Sequence, residues 1–486
     1  MPQVPSHLTS DNTTCNLYSI GMADDAGDLR RISKVPTGLG AEPLNIVILG
    51  ASYAGLAIAH RFLDETINKL HIRHDSPNYR LVIVSPSTHL YWNIAAPRAL
   101  SRPKLIDGDA LFAPIETGFH RHRAHNLAIV QGEAVAIDAS TRTVTVELIG
   151  STAQKRASQL NKRSSRYSTA SEGVQNPKVQ TIVYHALVMA TGTSAHSELL
   201  SLHGPHLNTL GALNALHARL VVAKSIIVCG GGCSGVETVG QLASYLNYRT
   251  HFPFRKHAKH PKKIILISGS FRCLPRLKAE IGAKAEKRLQ KLGIEVRHNV
   301  RVVAAKQDFD LTGATKVELN DDTSLIADVY IPCTGLGPNT SYVPSSMKDA
   351  KGYILAKRSS LRCDEADAGP RVYAIGDCAS YSQNRIQDVY AAVPVLVQNL
   401  LNDLLAYEYR LASPYGGYQD RIDALKDASY HQQDLTTILM PISRFGGVGM
   451  WKGRNVPGLL VHVLKGRDFR LKKSQQVVEY CGSPYD

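Results

Sequence analysis

The eight cysteines of the 486-residue chain include no C-x-x-C pair, and none falls between Cys15 and Cys229. A disulfide reductase needs two thiols shortly after its first nucleotide unit. The gap therefore argues against dithiol chemistry and against sulfide oxidation through a cysteine relay. Cys229, Cys233, Cys333 and Cys378 stand in or beside apolar runs and Gly turns, where free Cys acts as a small hydrophobe. A reducing compartment fits this usage. No uninterrupted run of about 18 apolar residues occurs, which argues against a transmembrane helix. The N-terminus lacks the apolar core of a signal peptide. It carries Asp11, Asp24, Asp25 and Asp28 before its first Arg, against the acid-poor pattern of a transit peptide. Residues 1–43 read as a disordered tail, with a cryptic mitochondrial signal as the alternative, and a cytoplasmic location follows. Acids are also scarce overall: 41 Asp and Glu oppose 56 Lys and Arg, a formal charge of +15. That excess suits nucleic acid, an anionic membrane or anionic NAD(P)H. Much of it lies in a polar insert and near the C-terminus rather than in one basic groove, and no nucleic-acid motif is present.

What the chain does contain is a repeated unit. Residues 45–55 read Asn-Ile-Val-Ile-Leu-Gly-Ala-Ser-Tyr-Ala-Gly, and residues 225–237 read Ser-Ile-Ile-Val-Cys-Gly-Gly-Gly-Cys-Ser-Gly-Val-Glu. In each, a β-branched stretch meets a Gly turn and then a helical pattern, the unit that sets a pyrophosphate against a helix N-terminus. Two such units on one chain let two dinucleotides meet face to face and pass a hydride. The fold class is therefore α/β, with two Rossmann-like domains: an NAD(P) domain inserted in a discontinuous FAD domain, plus a small C-terminal segment. The expected layout is FAD domain over 44–222 and 336–433, NAD(P)H domain over 223–335, and C-terminal segment over 434–486. Residues 127–149 alternate as antiparallel strands do, and 151–180, dense in Ser, Lys and Arg, read as a mobile insert.

In the first unit, Gly50 allows the tight turn, Gly55 lets the helix close on the strand, and Ala54 lies between them. Ser52 takes the middle position, where its hydroxyl is able to bond a phosphate. Ser85, at the end of the second strand, stands where an acid would take the adenosine ribose. Residues 372–378 (Val-Tyr-Ala-Ile-Gly-Asp-Cys) bring Gly376 and Asp377 to a helix start, with a carboxylate for a ribityl chain. In the second unit Gly230, Gly232 and Gly235 complete G-x-G-x-x-G, and Glu237 follows one turn into the helix. Its expected role is to orient the nicotinamide, so Glu237→Ala should slow reduction while leaving stability largely intact. The second strand ends in Ser268 without an acid and Arg272 follows, which opens the site to NADPH.

With these motifs in order, the chain resembles the two-dinucleotide-binding flavoproteins, and among them the apoptosis-inducing-factor-like, ferroptosis-suppressor oxidoreductases of a fungal type. The resemblance runs from Leu44 to Val478 and is carried by residues 89–98 (His-Leu-Tyr-Trp-Asn-Ile-Ala-Ala-Pro-Arg), 231–237 and 441–449. It implies NAD(P)H oxidation through FAD, with electrons passed to a quinone, and a peripheral place on a mitochondrial or other membrane. It places Tyr91, Asn93 and Arg98 near the flavin and makes Gln398 a quinone-site candidate. A Lys that some relatives carry after the Gly-Asp motif is replaced here, near Gln387. Leu459, Leu460, Val463 and Leu464 form an apolar stripe beside Lys465, Arg467 and Arg470, suited to capping the flavin domain or to meeting an anionic membrane. Two rival functions stay open: tailoring of an aromatic or quinonoid metabolite, and a basic cell-death or nucleic-acid-associated flavoprotein.

Overall fold

The computed structural model describes residues 42–70, 76–122, 126–150, 178–251, 254–307, 313–413, 415–480 and 482–484. The tail up to residue 41 and the insert over 151–177 lie outside them. The chain first lays down β1 (Leu44–Leu49), β2 (Tyr79–Ser85), β3 (Leu127–Asp138), β4 (Thr143–Leu148), β5 (Val179–Val183) and β6 (Ala186–Met189). Helix α1 (Tyr53–Arg61) follows β1, and α2 (His206–Val222) leads out of this first segment. The second unit runs β7 (Ser225–Cys229), α3 (Cys233–Leu246), β8 (Lys263–Ile267), α4 (Ala279–Lys291), β9 (Glu295–Arg297) and β10 (Val329–Pro332). The chain then returns through β11 (Val372–Ala374) and the long α5 (Ile386–Ala412). A hairpin of β12 (Ile438–Ser443) and β13 (Gly446–Trp451) and a last helix, α6 (Lys473–Tyr480), finish it.

The first sheet has seven strands in the order β11-β6-β1-β2-β3-β4-β5. β1 is parallel to both β2 and β6, and its last four residues are buried, as an apolar β-branched central strand requires. β3 changes its mode of pairing along its length. Its first five residues pair parallel to β2, Leu81↔Leu127 through Ser85↔Gln131. From Gly132 onward it pairs antiparallel to β4. The alternating pattern of 127–149 thus marks the antiparallel half only. β5 begins at Val179, so it takes the last two residues of the expected insert. The second sheet is β9-β8-β7-β10, all parallel, and a three-stranded antiparallel meander over Val302–Gln307, Thr315–Leu319 and Ser324–Ala327 packs beside it over a small core with Val317 and Leu319.

Helix α5 is long and apolar enough to cross a membrane, but 61% of its apolar stretch is buried, and it packs against α1. The C-terminal hairpin packs on α3. A Cβ at Gly240 would stand 2.2 Å from the Ile442 carbonyl, so only glycine permits that approach.

Candidate functional site

Each Gly turn is fixed by the chain itself at its outer positions. Gly50 has φ +104°, and a Cβ there would meet the Ala190 carbonyl at 2.4 Å; Gly230 has φ +127° and would meet the Cys333 carbonyl at 2.6 Å. A Cβ at Gly55 or Gly235 would stand 1.8 or 1.9 Å from the carbonyl of Gly50 or Gly230. The middle positions are different. A Cβ at Gly232 would meet nothing within 4 Å. Ser52 is exposed in extended backbone, and its hydroxyl caps no helix N–H. Both helices therefore begin at an open turn with no side-chain cap on their N–H groups, the arrangement that takes a phosphate.

One cleft of about 1160 Å³ joins the two units. Gly50, Ser52, Ala54, Ser85, Tyr91 and Asn93 line it from the first segment, and Gly376 and Asp377 from the turn after β11. Gly376 takes φ +77° and lies against Ala54, so the Gly-Asp turn and the first Gly turn are neighbours. Asp377 faces the hydroxyls of Thr193 and Ser382 at 3.5 and 3.4 Å. Burial raises its carboxyl above the usual range, and those two hydroxyls oppose the rise. These long contacts leave it able to accept stronger ones. The Tyr91 hydroxyl donates to the Leu199 carbonyl at 2.7 Å, and Asn93 Oδ1 accepts from Tyr53 at 3.1 Å.

From the second unit the cleft receives Cys233, Ser234 and Glu237, and from the C-terminal segment it receives Lys465. Lys465 Nζ lies 2.7 Å from Glu237 Oε1 and donates to the Leu439 carbonyl at 3.1 Å. Both side chains are under 10% exposed. Burial raises the Glu237 carboxyl, and the charges of Lys465 and Arg98 pull it back. Lys465 is thus no surface cation. Val461 and Phe469, four residues to either side, are fully buried, and that spacing puts Lys465 on the inner stripe, while Leu459, Leu460 and Val463 face out. The pair also corrects the expectation that Glu237→Ala would spare stability. Deleting one member strands the other charge in the interior, at a cost of about 3–5 kcal/mol.

Three expected site residues stand elsewhere. Gln398 lies outside the cleft lining and donates to Asn402 on its own helix at 2.9 Å; Gln387, three turns earlier, does line the cleft. Arg98 is buried as a clasp, with Nε on Gln241 Oε1 at 3.2 Å, Nη1 on the Arg467 carbonyl at 3.0 Å, and its guanidinium over the Phe469 ring. Arg272 closes its own loop, donating to the carbonyls of Pro275 and Leu277, each at 2.9 Å. The arginine that lies across the turn after β8 is Arg301: a Cβ at Gly269 would be 2.9 Å from its Cγ. The hydroxyls of Ser85 and Ser268 are both committed to a local turn, bonding the carbonyls of Ser87 and Ser270 at 2.9 and 3.2 Å.

Two clusters have metal-type donors. Among His60, Asp64 and His122 the Arg121 guanidinium already bonds Asp64 at 2.7 Å. Among Cys273, Glu286 and His298, the last two pair at 3.0 Å, and burial pushes the Cys273 thiol up to about 12. Neither is assigned to a metal.

The first Gly turn and the start of α3, directly after the second, face one cleft with a carboxylate on each side and define a two-dinucleotide oxidoreductase, although Gly230, Gly232 and Gly235 themselves lie outside the cleft lining. The chain belongs to the pyridine nucleotide-disulphide oxidoreductase family, whose model matches residues 44–394. Its cofactors are FAD and NAD(P)H. It is 31% identical to oxidoreductase phnG of Penicillium herquei over 433 residues, covering 88% of this chain and 94% of that one. It is 24% identical to ferroptosis suppressor protein 1 of Taeniopygia guttata over 266 residues, covering 52% of this chain and 60% of that one. Its fold is similar to that of NDH2 from Plasmodium falciparum solved with NADH, with a TM-score of 0.56 and 12% identity, covering 91% of this chain and 99% of that one. Despite the family's name, Cys233 is the one cysteine among the described residues that line the cleft, and no second thiol faces it there.

Proposed function

We propose that the protein is an FAD-dependent NAD(P)H oxidoreductase that passes electrons to a quinone or a similar small-molecule acceptor. The observation that carries this reading is the single cleft lined by the first Gly turn at Gly50 and Ser52, by Asp377, and by Cys233, Ser234 and Glu237 at the start of α3, directly after the second Gly turn. When bound, the two cofactors supply hydride transfer; the protein supplies position and charge. The first turn, with Ser52 and the N-terminus of α1, holds the diphosphate of FAD, and Asp377 accepts from its ribityl hydroxyls. The turn at Gly232 holds the diphosphate of the reductant at the start of α3. Glu237 accepts from the nicotinamide end and orients it, since a misplaced donor forfeits much of the rate. The purified protein should be yellow, bleach under anaerobic NADH or NADPH, and recover on addition of a soluble quinone. A colourless protein, or a flavin inert to both nucleotides, would refute the assignment.

A second reading, tailoring of an aromatic or quinonoid metabolite, uses the same cleft. The longer match, over 94% of oxidoreductase phnG against 60% of ferroptosis suppressor protein 1, leaves the acceptor open and so keeps this reading beside the first. Turnover with a panel of simple quinones, followed by product analysis, separates the two. Reduction reversed by air supports the acceptor role, and a stable modified product supports tailoring. A peripheral contact with an anionic membrane belongs to the proposal as well. Leu459 and Val463 are 67% and 54% exposed, and Arg467 is exposed beside them. Flotation with anionic vesicles should be lost in Leu459→Asp.

A further inference from the structure

Glu237 is held by only one of its oxygens. Oε1 accepts from Lys465, whereas Oε2 makes no hydrogen bond to any described residue, and the side chain lines the cleft. Lys465 reaches it from the far end of the chain, 228 residues away, on the turn His462–Gly466. A second donor contact, to the Leu439 carbonyl, fixes the ammonium to the C-terminal hairpin. A buried ion pair is a poor source of stability, since a well-packed apolar pair of similar volume is commonly as good or better. Set in the wall of a cleft that takes a nucleotide, this pair does something an apolar one would not: it presents a fixed, ionised acceptor.

We propose that Lys465 is a positioning residue for the nicotinamide nucleotide, pinning the Glu237 carboxylate by Oε1 so that Oε2 faces the cleft as the acceptor for the nucleotide's N–H and O–H groups. This rests on the reading of the cleft as the NAD(P)H site. The groups that face Glu237 are Lys465 from the C-terminal turn, Arg98 from the short helix Ala96–Ala99, and the Cys233 thiol from the start of its own helix. Arg98 is tied to Gln241 and the Arg467 carbonyl, so Lys465 is the cation that bonds the carboxylate directly.

The sign of the pH effect follows. Burial already favours the protonated carboxyl and Lys465 opposes it. Removing the ammonium moves the titration further up, so the acceptor form is lost at the acid side and returns as pH rises. The test uses the full-length flavin-loaded protein and two readouts: the affinity for NADP+ by calorimetry, and the rate of flavin reduction by NADPH, each from pH 6 to 9. Lys465→Met should weaken NADP+ binding roughly tenfold at pH 7, in line with loss of one charge-assisted bond, and both readouts should recover as pH rises. Lys465→Arg should keep the flat wild-type profile. A Lys465→Met protein with wild-type affinity and a flat profile would overturn the proposal, whatever its melting temperature. Should that variant not fold, Glu237→Gln, whose amide oxygen can still accept from Lys465, and the double variant Lys465→Met/Glu237→Gln, which leaves no charge at the pair, decide the matter. If Lys465 acts through Glu237, the two bind NADP+ equally; a further tenfold loss in the double variant shows an independent role and refutes the idea. Failure of the wild-type flavin to be reduced at all would instead refute the reading of the cleft.

Discussion

Gly50 and Gly55 in the first unit and Gly230 and Gly235 in the second are held in the same way: a positive φ against a neighbouring strand's carbonyl, then a helix residue against the turn's own carbonyl. Between them the units part company, with Ser52 in one and Gly232 in the other: Ser52 lines the cleft, and Gly232, next to the cleft-lining Cys233, would meet nothing within 4 Å of an added Cβ. The outer glycines therefore report packing within the chain, and the middle residue reports the ligand. A departure from G-x-G-x-x-G at the middle position leaves the fold untouched. The same departure at either outer position would destroy it.

The comparison breaks most sharply at the third glycine. Gly55→Ala and Gly235→Ala each force a methyl into a carbonyl and should lose more than about 3 kcal/mol, read as a lower urea midpoint or as insoluble protein. Gly232→Ala should fold normally, within about 1 kcal/mol of wild type, and show its effect only in nucleotide affinity.

The two units' helices are also clasped differently by the C-terminal segment. α3 meets Ile442 through bare backbone at Gly240, whereas α1 is clasped through His60, whose Nε2 lies 2.6 Å from the Val478 carbonyl. Burial lowers the His60 imidazole to about 4, and the nearby Arg121 guanidinium adds to the effect. The native state thus binds fewer protons than the unfolded chain between about pH 6.5 and 4, so stability falls as pH drops through that window, by about 3 kcal/mol at the acid end. Urea midpoints of the wild type and His60→Gln, measured across that range, should converge at low pH if the clasp titrates as described.

Asp377→Ala sharpens the comparison on the flavin side. It should weaken flavin retention about ten- to a hundredfold, a loss of roughly 1.5–3 kcal/mol, without touching NADP+ binding in protein that keeps its flavin. The smallest effect is expected at Arg301. Arg301→Ala should weaken NADPH roughly threefold to tenfold and leave NADH unchanged, because only the former carries a 2′-phosphate. Equal losses for both nucleotides would show that Arg301 serves the turn rather than the phosphate.

Much of this site is legible in the residues themselves. The β-branched runs before Gly50 and Gly230 specify strand, turn and helix locally, and each lines up where its pattern predicts; the Gly-Asp turn does so only in part, because Gly376–Cys378 forms a short 3-10 turn and the helix expected there begins only at Ile386. Arg98, Arg272 and Gln398 were misplaced because a long polar side chain has several anchors within reach, and local sequence does not choose among them. Arg272 reaches carbonyls three and five residues away, so its loop claims it before a ligand is able to. Lys465 illustrates the converse. A cation among Leu459, Leu460 and Val463 reads as the edge of a surface stripe, and only the four-residue spacing from Val461 to Phe469 betrays that it points inward. Its partner lies 228 residues away in the chain, and no local pattern encodes that meeting.

The placement of β11 also carries a consequence for how the protein is made. β11 pairs with β6 at Val372↔Leu187, so the first sheet cannot acquire its final strand until the entire second unit has been synthesised. The second sheet, complete between Ser225 and Pro332, has no such wait. On a ribosome the later-encoded unit can mature first, while β1, β2 and β6 stand with an open apolar edge and a long sequence separation still to close, the slow kind of pairing. The half that begins the chain is the half that finishes last.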